Sequence, residues 1–589
     1  MKTRWSDEAL VDVPLPEYPR PQLRREAWTN LNGAWDYAIQ PRAAAAPSEF
    51  EGKILVPFAV ESALSGVERR VGPDQRLWYR RTFAAPDLEE GGRLWLHFGA
   101  VDWEAEVWLN GKPLGIHRGG YDPFRFDITT SLVEGEQELV VAVWDPNDAG
   151  AQPRGKQIND PHGIWYTPVT GIWQTVWLEA VPASYIEKLR IQPDYDAGSF
   201  NVSVYLNWTR ADAALKIRVL ADGEEVAQTV IDRFDCMTDY CSPVEIAIPH
   251  PRAWSPADPF LYDFELIYSA PGIEDRVTSY AGLRKVEVRR ATDGRDRIWL
   301  NNKPIFLYGP LDQGWWPDGL YTAPTDEALR WDIETTKAMG FNMTRKHVKV
   351  EPARWYHHCD RIGLIVWQDM PSAIKTGEPG HLPQRLQPLD GVFNPEDAAQ
   401  WRAELFAMID ALEHFPCITS WIPFNECWGQ HNTNATLAAV KQRDPSRLAN
   451  GPSGWNDLGY GETFDQHIYP GPGMWDPQPG RASVLGEFGG LGARLEDHKW
   501  QETGNWSYRD SANLEELAVH YHSMMLQLAQ LIPDGLSAAV YTQFTDVEGE
   551  VNGLVSYDRD VVKIPAERLA AMHAPLTTAL GARAARVSG

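Results

Sequence analysis

The 589-residue chain predicts a multidomain protein in which two β-sandwiches precede a (β/α)8 TIM barrel. Three observations predict it. Residues 28–182 and 183–288 are short strand-like runs broken by Gly, Asn and Pro. From about residue 289 each short apolar run is followed by a helical pattern, and eight such runs occur. At roughly 150 residues per domain the length suggests four units, but a barrel alone takes about 250 or more, so three are expected.

The first domain is assigned to residues 1–182. Its segment RLWLHFGAVDWEAEVWLNG (93–111) alternates apolar positions and closes on Asn-Gly, the preferred two-residue hairpin turn. Residues 183–288 repeat the style in ALKIRVLADGEEVAQTVI and FELIYSA, over the length of an immunoglobulin-like sandwich of about 100 residues. The third domain, 289–589, carries the runs PIFLYGP, GFNMTRKH, GLIVWQDMP, CITSWIPFNE, SRLANGPSG, TFDQHIYP, SVLGEFGG and LSAAVYTQFTD. TDEALRWDIETTKAMG between the first two opens on a Thr cap and closes on Gly, and NPEDAAQWRAELFAMIDALEHFP opens on Asn394 and Pro395; both are helix-boundary signals.

Composition excludes several functions. The formal charge of −26, with no basic run, argues against nucleic acid and anionic membrane surfaces. No 18-residue apolar stretch spans a membrane, and the N-terminus lacks a signal-type apolar region. Five Cys (236, 241, 359, 417, 427) form no disulfide framework, so free thiols and a cytoplasmic, reducing location are expected. The 26 Trp outnumber Tyr and Phe. Those of the first sandwich (Trp28, Trp35, Trp78, Trp95, Trp103, Trp108, Trp173, Trp177) are expected mainly in its core. Those at barrel strand ends (Trp315, Trp316, Trp367, Trp428, Trp455) are expected to face a flat apolar ligand such as a sugar.

Barrel active sites lie at the C-terminal strand ends. There the fourth run ends on Asn425-Glu426 and the seventh on Glu487. Both glutamates have apolar and aromatic flanks, and paired desolvated carboxylates are the apparatus of glycosidic bond hydrolysis.

These residues belong to a wider set of motifs. WTNLNGAWDYA (28–38), VPFAVESALSG (56–66), WYRRTF (78–83), HFGAVDWEAEVWLNGKPLGIHRGGYDPFRFDIT (97–129) and GIWQTVWLEAV (171–181), with FNMTRKH, Asn425-Glu426 and GEFGG in the barrel, resemble glycoside hydrolase family 2 over nearly the whole chain. The resemblance implies a jelly-roll-like first sandwich and a retaining, exo-acting glycosidase. It implies Glu426 as acid/base, kept protonated by Phe424 and Trp428, and Glu487 as nucleophile, held ionised by Arg345. Asn425 would bind the sugar 2-OH, and the carboxylates would stand roughly 5–5.5 Å apart. His347, Asp312, Trp428, Trp455, His467, Tyr469 and Gln543 would line the pocket, with Asp369, Asp546 and Glu548 near it.

A neutral, β-galactoside-like sugar is the preferred substrate. The family's Asn-x-Lys pair for uronates finds only Asn552-Gly553-Leu554, and TDVEGEVNG around it is acidic. LYGPLDQGWWPDGLY and WIPFNECWGQHN depart from the galactosidase pattern, so α-L-arabinosidase and β-glucuronidase activities stay open, as does a catalytically inactive carbohydrate-binding protein. No cofactor and no metal are expected. His357, His358 and Cys359 are consecutive, and neighbours on a helix diverge by about 100°, so they cannot converge on zinc. Besides an oligosaccharide or glycoside substrate, a homo-oligomer stays open as a partner, since relatives of the family often assemble.

Overall fold

The computed structural model describes residues 1–232, 240–374 and 390–580. Cys236 and the Cys241 side chain lie outside this description, while Cys359, Cys417 and Cys427 are in no disulfide among the described residues. Among the described residues no helix is long and apolar enough to cross a membrane.

The first domain packs a four-stranded sheet on a six-stranded one, around Trp35, Leu77, Tyr79, Leu96, Val107 and Val141. Strands Glu104–Leu109 and Lys112–Arg118 form the expected hairpin. Its two turn residues, Asn110 and Gly111, have φ of 51° and 73°, the left-handed pair that a twist-matched two-residue turn requires. The second domain faces three strands against four, with Phe200, Val219, Phe264 and Val277 between them.

All eight predicted runs become parallel barrel strands. They are β1 (Leu307–Asp312), β2 (Met343–Lys346), β3 (Ile365–Asp369), β4 (Ile418–Ile422), β5 (Leu448–Ala449), β6 (Thr463–Ile468), β7 (Ala482–Gly489) and β8 (Leu536–Thr542). The ladder runs β5-β4-β3-β2-β1-β8-β7-β6, and a parallel bridge from Asn450 to Thr463 joins its two ends. Helix α1 (Asp326–Ala338) follows β1, and the Thr325 hydroxyl at its start accepts from Ala328 N at 3.1 Å. Helix α2 (Ala353–Ile362) links β2 to β3. Helix α3 (Pro395–Leu412) precedes β4, with Asn394 accepting from Asp397 N at 2.8 Å. On α2 the three candidate zinc ligands diverge: His357 meets Tyr280, His358 meets Asp326, and Cys359 is buried.

The first residues of the chain are not part of the first sandwich. Trp5 packs on Trp316 and Trp331 of the barrel, and the Thr3 and Ser6 hydroxyls donate to Asp318. A loop of the first sandwich closes over the barrel mouth: the N–H groups of Arg154 and Gly155 donate to Ser372 O at 3.0 and 3.1 Å. Gly155 has φ of 62°, and a Cβ there would come within 2.5 Å of Val348 O, so only glycine permits this approach.

Trp254 joins the second sandwich to the barrel. It is fully buried and donates through Nε1 to Asp360 O at 2.7 Å. Trp254→Ala is expected to cost about 3–5 kcal/mol and lower the first calorimetric unfolding transition; an unchanged transition would show that this contact does not stabilise the junction.

Candidate active site

Strand geometry brings Glu426, His467 and Glu487 together at the barrel mouth, with one ligating atom of each lying within 4.8 Å of the others. Glu487 lies in β7 and Glu426 just beyond β4, where Glu426 and Cys427 adopt φ of 48° and 61°. Left-handed backbone costs an ordinary side chain roughly 1–2 kcal/mol. It is held here by Glu426 N donating to Ser453 O at 2.9 Å and Trp428 N to Asn425 O at 2.8 Å.

Arg345 of β2 is wholly buried and organises the floor. Its Nε and Nη2 donate to the two Asp369 oxygens at 3.0 and 2.9 Å, Nη2 also to Asn425 Oδ1 at 2.7 Å, and Nη1 to Glu487 Oε1 at 3.2 Å. The Asn425 amide nitrogen keeps no partner among the described residues. Tyr469 OH donates to Glu487 Oε2 at 2.7 Å and stacks on Tyr508 at 3.9 Å. Burial and the Glu487 charge push the Tyr469 phenol well above its ordinary range, so it stays a donor.

His467 stands between the carboxylates. Nδ1 lies 2.7 Å from Glu426 Oε1 and 3.3 Å from Glu487 Oε2, and Nε2 is 2.8 Å from Ser453 Oγ. Burial alone would lower the imidazole, but the charge of Glu487 and the hydrogen bond and charge of Glu426 hold it above its ordinary value. Three ligating atoms so placed have the spacing of a cation site, and His467 is itself placed to bring a positive charge between the two carboxylates.

At both glutamates burial competes with the neighbouring charges. Burial raises the Glu426 carboxyl, yet the His467 hydrogen bond and charge outweigh it, and Glu426 is held below its ordinary value. Phe424 does not oppose this, because it stacks on Trp401 at 4.8 Å. Glu487 is raised, because burial and the Glu426 charge exceed the pull of His467 and Arg345.

The other expected pocket residues divide. His347 Nδ1 is 3.0 Å from Asp369 Oδ2; burial and then the Lys156 charge hold this imidazole well below its ordinary value, so it is neutral. Trp428 lies 6.3 Å from His347 and 5.1 Å from Trp165, and Trp455 meets His467 edge-on at 5.7 Å. Gln543 Nε2 donates to Asn552 Oδ1 at 2.7 Å, and Asn552 to Glu550 at 2.9 Å. Asp312 is not in the pocket: strand alternation turns Lys346 away from Arg345, and Lys346 Nζ holds Asp312 at 2.7 Å and Glu351 at 2.9 Å. Trp315, Trp316 and Trp367 are also core residues, at most 1% exposed. Trp315 packs on Tyr321 and Tyr166, and Trp316 lies under the Arg559 guanidinium. Lys156, Trp165 and Tyr508 were missed. Two of them come from another domain, so no strand-end pattern could mark them.

Three family models match the chain in succession: "Glycosyl hydrolases family 2, sugar binding domain" over residues 56–182, "Glycosyl hydrolases family 2" over 184–284, and "Glycosyl hydrolases family 2, TIM barrel domain" over 291–476. The chain belongs to glycoside hydrolase family 2. Within the family it is 26% identical over 385 residues to a β-galactosidase of Thermoanaerobacter pseudethanolicus, covering 64% of this chain and 48% of that protein. It is 29% identical over 383 residues to a β-galactosidase of Photobacterium profundum, covering 62% and 34%. The chain thus spans about half or less of the length of these relatives. The fold matches a β-D-glucuronidase of Dictyoglomus thermophilum with a TM-score of 0.72 at 16% identity, covering 94% of this chain and 98% of that one.

A His raised by its partners stabilises the fold fully below its unfolded value near 6.5, and that contribution is lost as pH rises through the higher folded value. The His467 ring nitrogens should therefore titrate above pH 6.5 by heteronuclear NMR, and Glu426→Gln should move that titration down; titration below 6.5 in the unaltered protein would contradict a positive His467 between the carboxylates.

Proposed function

We propose that the chain is an exo-acting retaining β-glycosidase working by double displacement between Glu487 and Glu426. The observation that carries this reading is the carboxylate pair, with oxygens within 4.8 Å of each other, the spacing of retention rather than the roughly 6.5–9.5 Å of inversion.

In the first step a Glu487 oxygen bonds to the anomeric carbon while the bond from that carbon to the aglycone oxygen breaks. Glu426 gives its proton to the departing oxygen. The proton held on the Glu426–His467 pair is the source, moving along the 2.7 Å hydrogen bond. This reconciles an acid with a carboxyl that rests low. Tyr469 and Arg345 meanwhile stay on Glu487 and favour its ionised form once a sugar excludes water. In the second step Glu426 takes a proton from water, the hydroxyl attacks the anomeric carbon, and the Glu487 ester breaks. The unpartnered Asn425 Nδ2 is placed to donate to the sugar 2-OH, and neutral His347 to accept from a hydroxyl.

The acidic rim that favoured a neutral sugar is reduced at one position only, since Asp546 alone of the acids in the 545–553 stretch meets a cation. Asp546 accepts from Lys563 at 2.7 Å, Glu548 from Thr167 N at 2.8 Å, and Glu550 from Tyr166 OH and Asn552.

Two outcomes are expected. Proton NMR of the first product from an accepted p-nitrophenyl glycoside should show the anomeric configuration of the substrate; the opposite anomer would refute retention. Glu426→Ala should lower kcat about 10²- to 10⁴-fold for poor leaving groups and far less for activated ones; equal losses for both would remove Glu426 as the acid.

A further inference from the structure

Lys156 reaches the barrel mouth from the first sandwich and is only 5% exposed. Its ammonium makes no hydrogen bond or ion pair with any described residue, and lies 5.6 Å from the Tyr166 ring and 5.9 Å from the Trp428 ring. The other buried lysines near the mouth are all answered. Lys346 pairs with Asp312 and Glu351, Lys349 with Glu351 and two carbonyls, and Lys563 with Asp546. The Lys156 stem is buried while its ammonium has no direct counter-ion among the described residues, and two aromatic faces return only about 2 kcal/mol or less each. Among the described residues only the longer-range charges of Glu426 and Glu487 answer it.

The ammonium lies near the reacting centre: Trp428, 5.9 Å from it, is itself 6.3 Å from His347, and its charge bears on Glu426, Glu487 and His347. Its loop is fixed in place: Tyr166 N donates to Lys156 O at 2.9 Å, Gln157 Nε2 donates to Asp102 at 2.8 Å, and the preceding Gly155 is docked on Ser372. A pre-positioned positive charge with no hydrogen-bond or ion-pair partner among the described residues, beside a sugar-cleaving pair, is completed by an anion on the sugar.

We propose that Lys156 forms an anion subsite supplied by the first sandwich, and that the terminal sugar carries a negatively charged substituent, a uronate carboxylate or a sulfate ester. This rests on the glycosidase reading of Glu426 and Glu487. A lysine, as a point charge on a flexible stem, suits either anion. The subsite takes the place of the Asn-x-Lys pair that the 552–554 segment lacks.

The test compares the unaltered protein, Lys156→Met and Lys156→Arg on p-nitrophenyl β-glucuronide, β-galactoside and 6-sulfo-β-galactoside. The unaltered protein should prefer an anionic substrate, and which one is cleaved separates carboxylate from sulfate. Lys156→Met should lower kcat/KM for that substrate about 100-fold and for the neutral galactoside less than tenfold, with Lys156→Arg between. A preference for the neutral galactoside, or equal losses on all three, would overturn the subsite and leave the glycosidase reading intact. If no glycoside is cleaved, that reading fails, and the subsite is judged by calorimetric binding alone. D-glucuronate or galactose 6-sulfate should then bind at least tenfold tighter than D-galactose, with the difference lost in Lys156→Met. Equal binding would overturn it.

Discussion

A guanidinium with no access to water lies at the floor of the barrel mouth, and the site is built around its charge. Arg345 is answered by Asp369 through two hydrogen bonds, by Glu487 through one and by Asn425 through another. Removing one partner of such a buried charge costs about 3–5 kcal/mol, so each of these side chains is fixed more firmly than its own packing would fix it. Strands β2, β3 and β7 and the turn after β4 are thereby tied at one point. That leaves Asn425 with one free amide nitrogen and Glu487 with its second oxygen free for Tyr469 and His467.

His467 is the second centre of charge. Placed 2.7 Å from one carboxylate and 3.3 Å from the other, it offsets the repulsion between two acids that would otherwise face each other. The left-handed turn at Glu426 and Cys427 makes the shorter contact available. Gly454 leaves room for it: with φ of 100°, a Cβ there would press within 3.2 Å of His467 Nδ1 and 3.3 Å of Glu426 Cγ.

Much of the scaffold was legible in the sequence. The eight apolar runs, the Thr325 and Asn394 caps and the Asn-Gly hairpin are local signals, set by periodicity and turn chemistry, and they appear where they were expected. The two glutamates and Tyr469 were legible because strand ends of a barrel converge. Asp312 and Trp316 misled because a strand-end position does not say which face a side chain takes: Asp312 turns with Lys346 to the outer face, and Trp316 is claimed by Trp5 from the start of the chain. Lys156 was illegible for a different reason, since its surroundings exist only once two domains dock through Gly155. The position of His467 between the two carboxylates, 2.7 Å from one and 3.3 Å from the other, was also out of reach, because it depends on how β6 packs beside β7 and the turn after β4.

The direct test of the assignment at the centre of this arrangement is covalent. A 2-deoxy-2-fluoro glycoside of an accepted sugar, incubated with the protein and followed by intact and peptide mass spectrometry, should add one fluoroglycosyl unit on the peptide containing Glu487. An adduct on Glu426, or turnover of the parent sugar with no adduct on Glu487, would contradict the account.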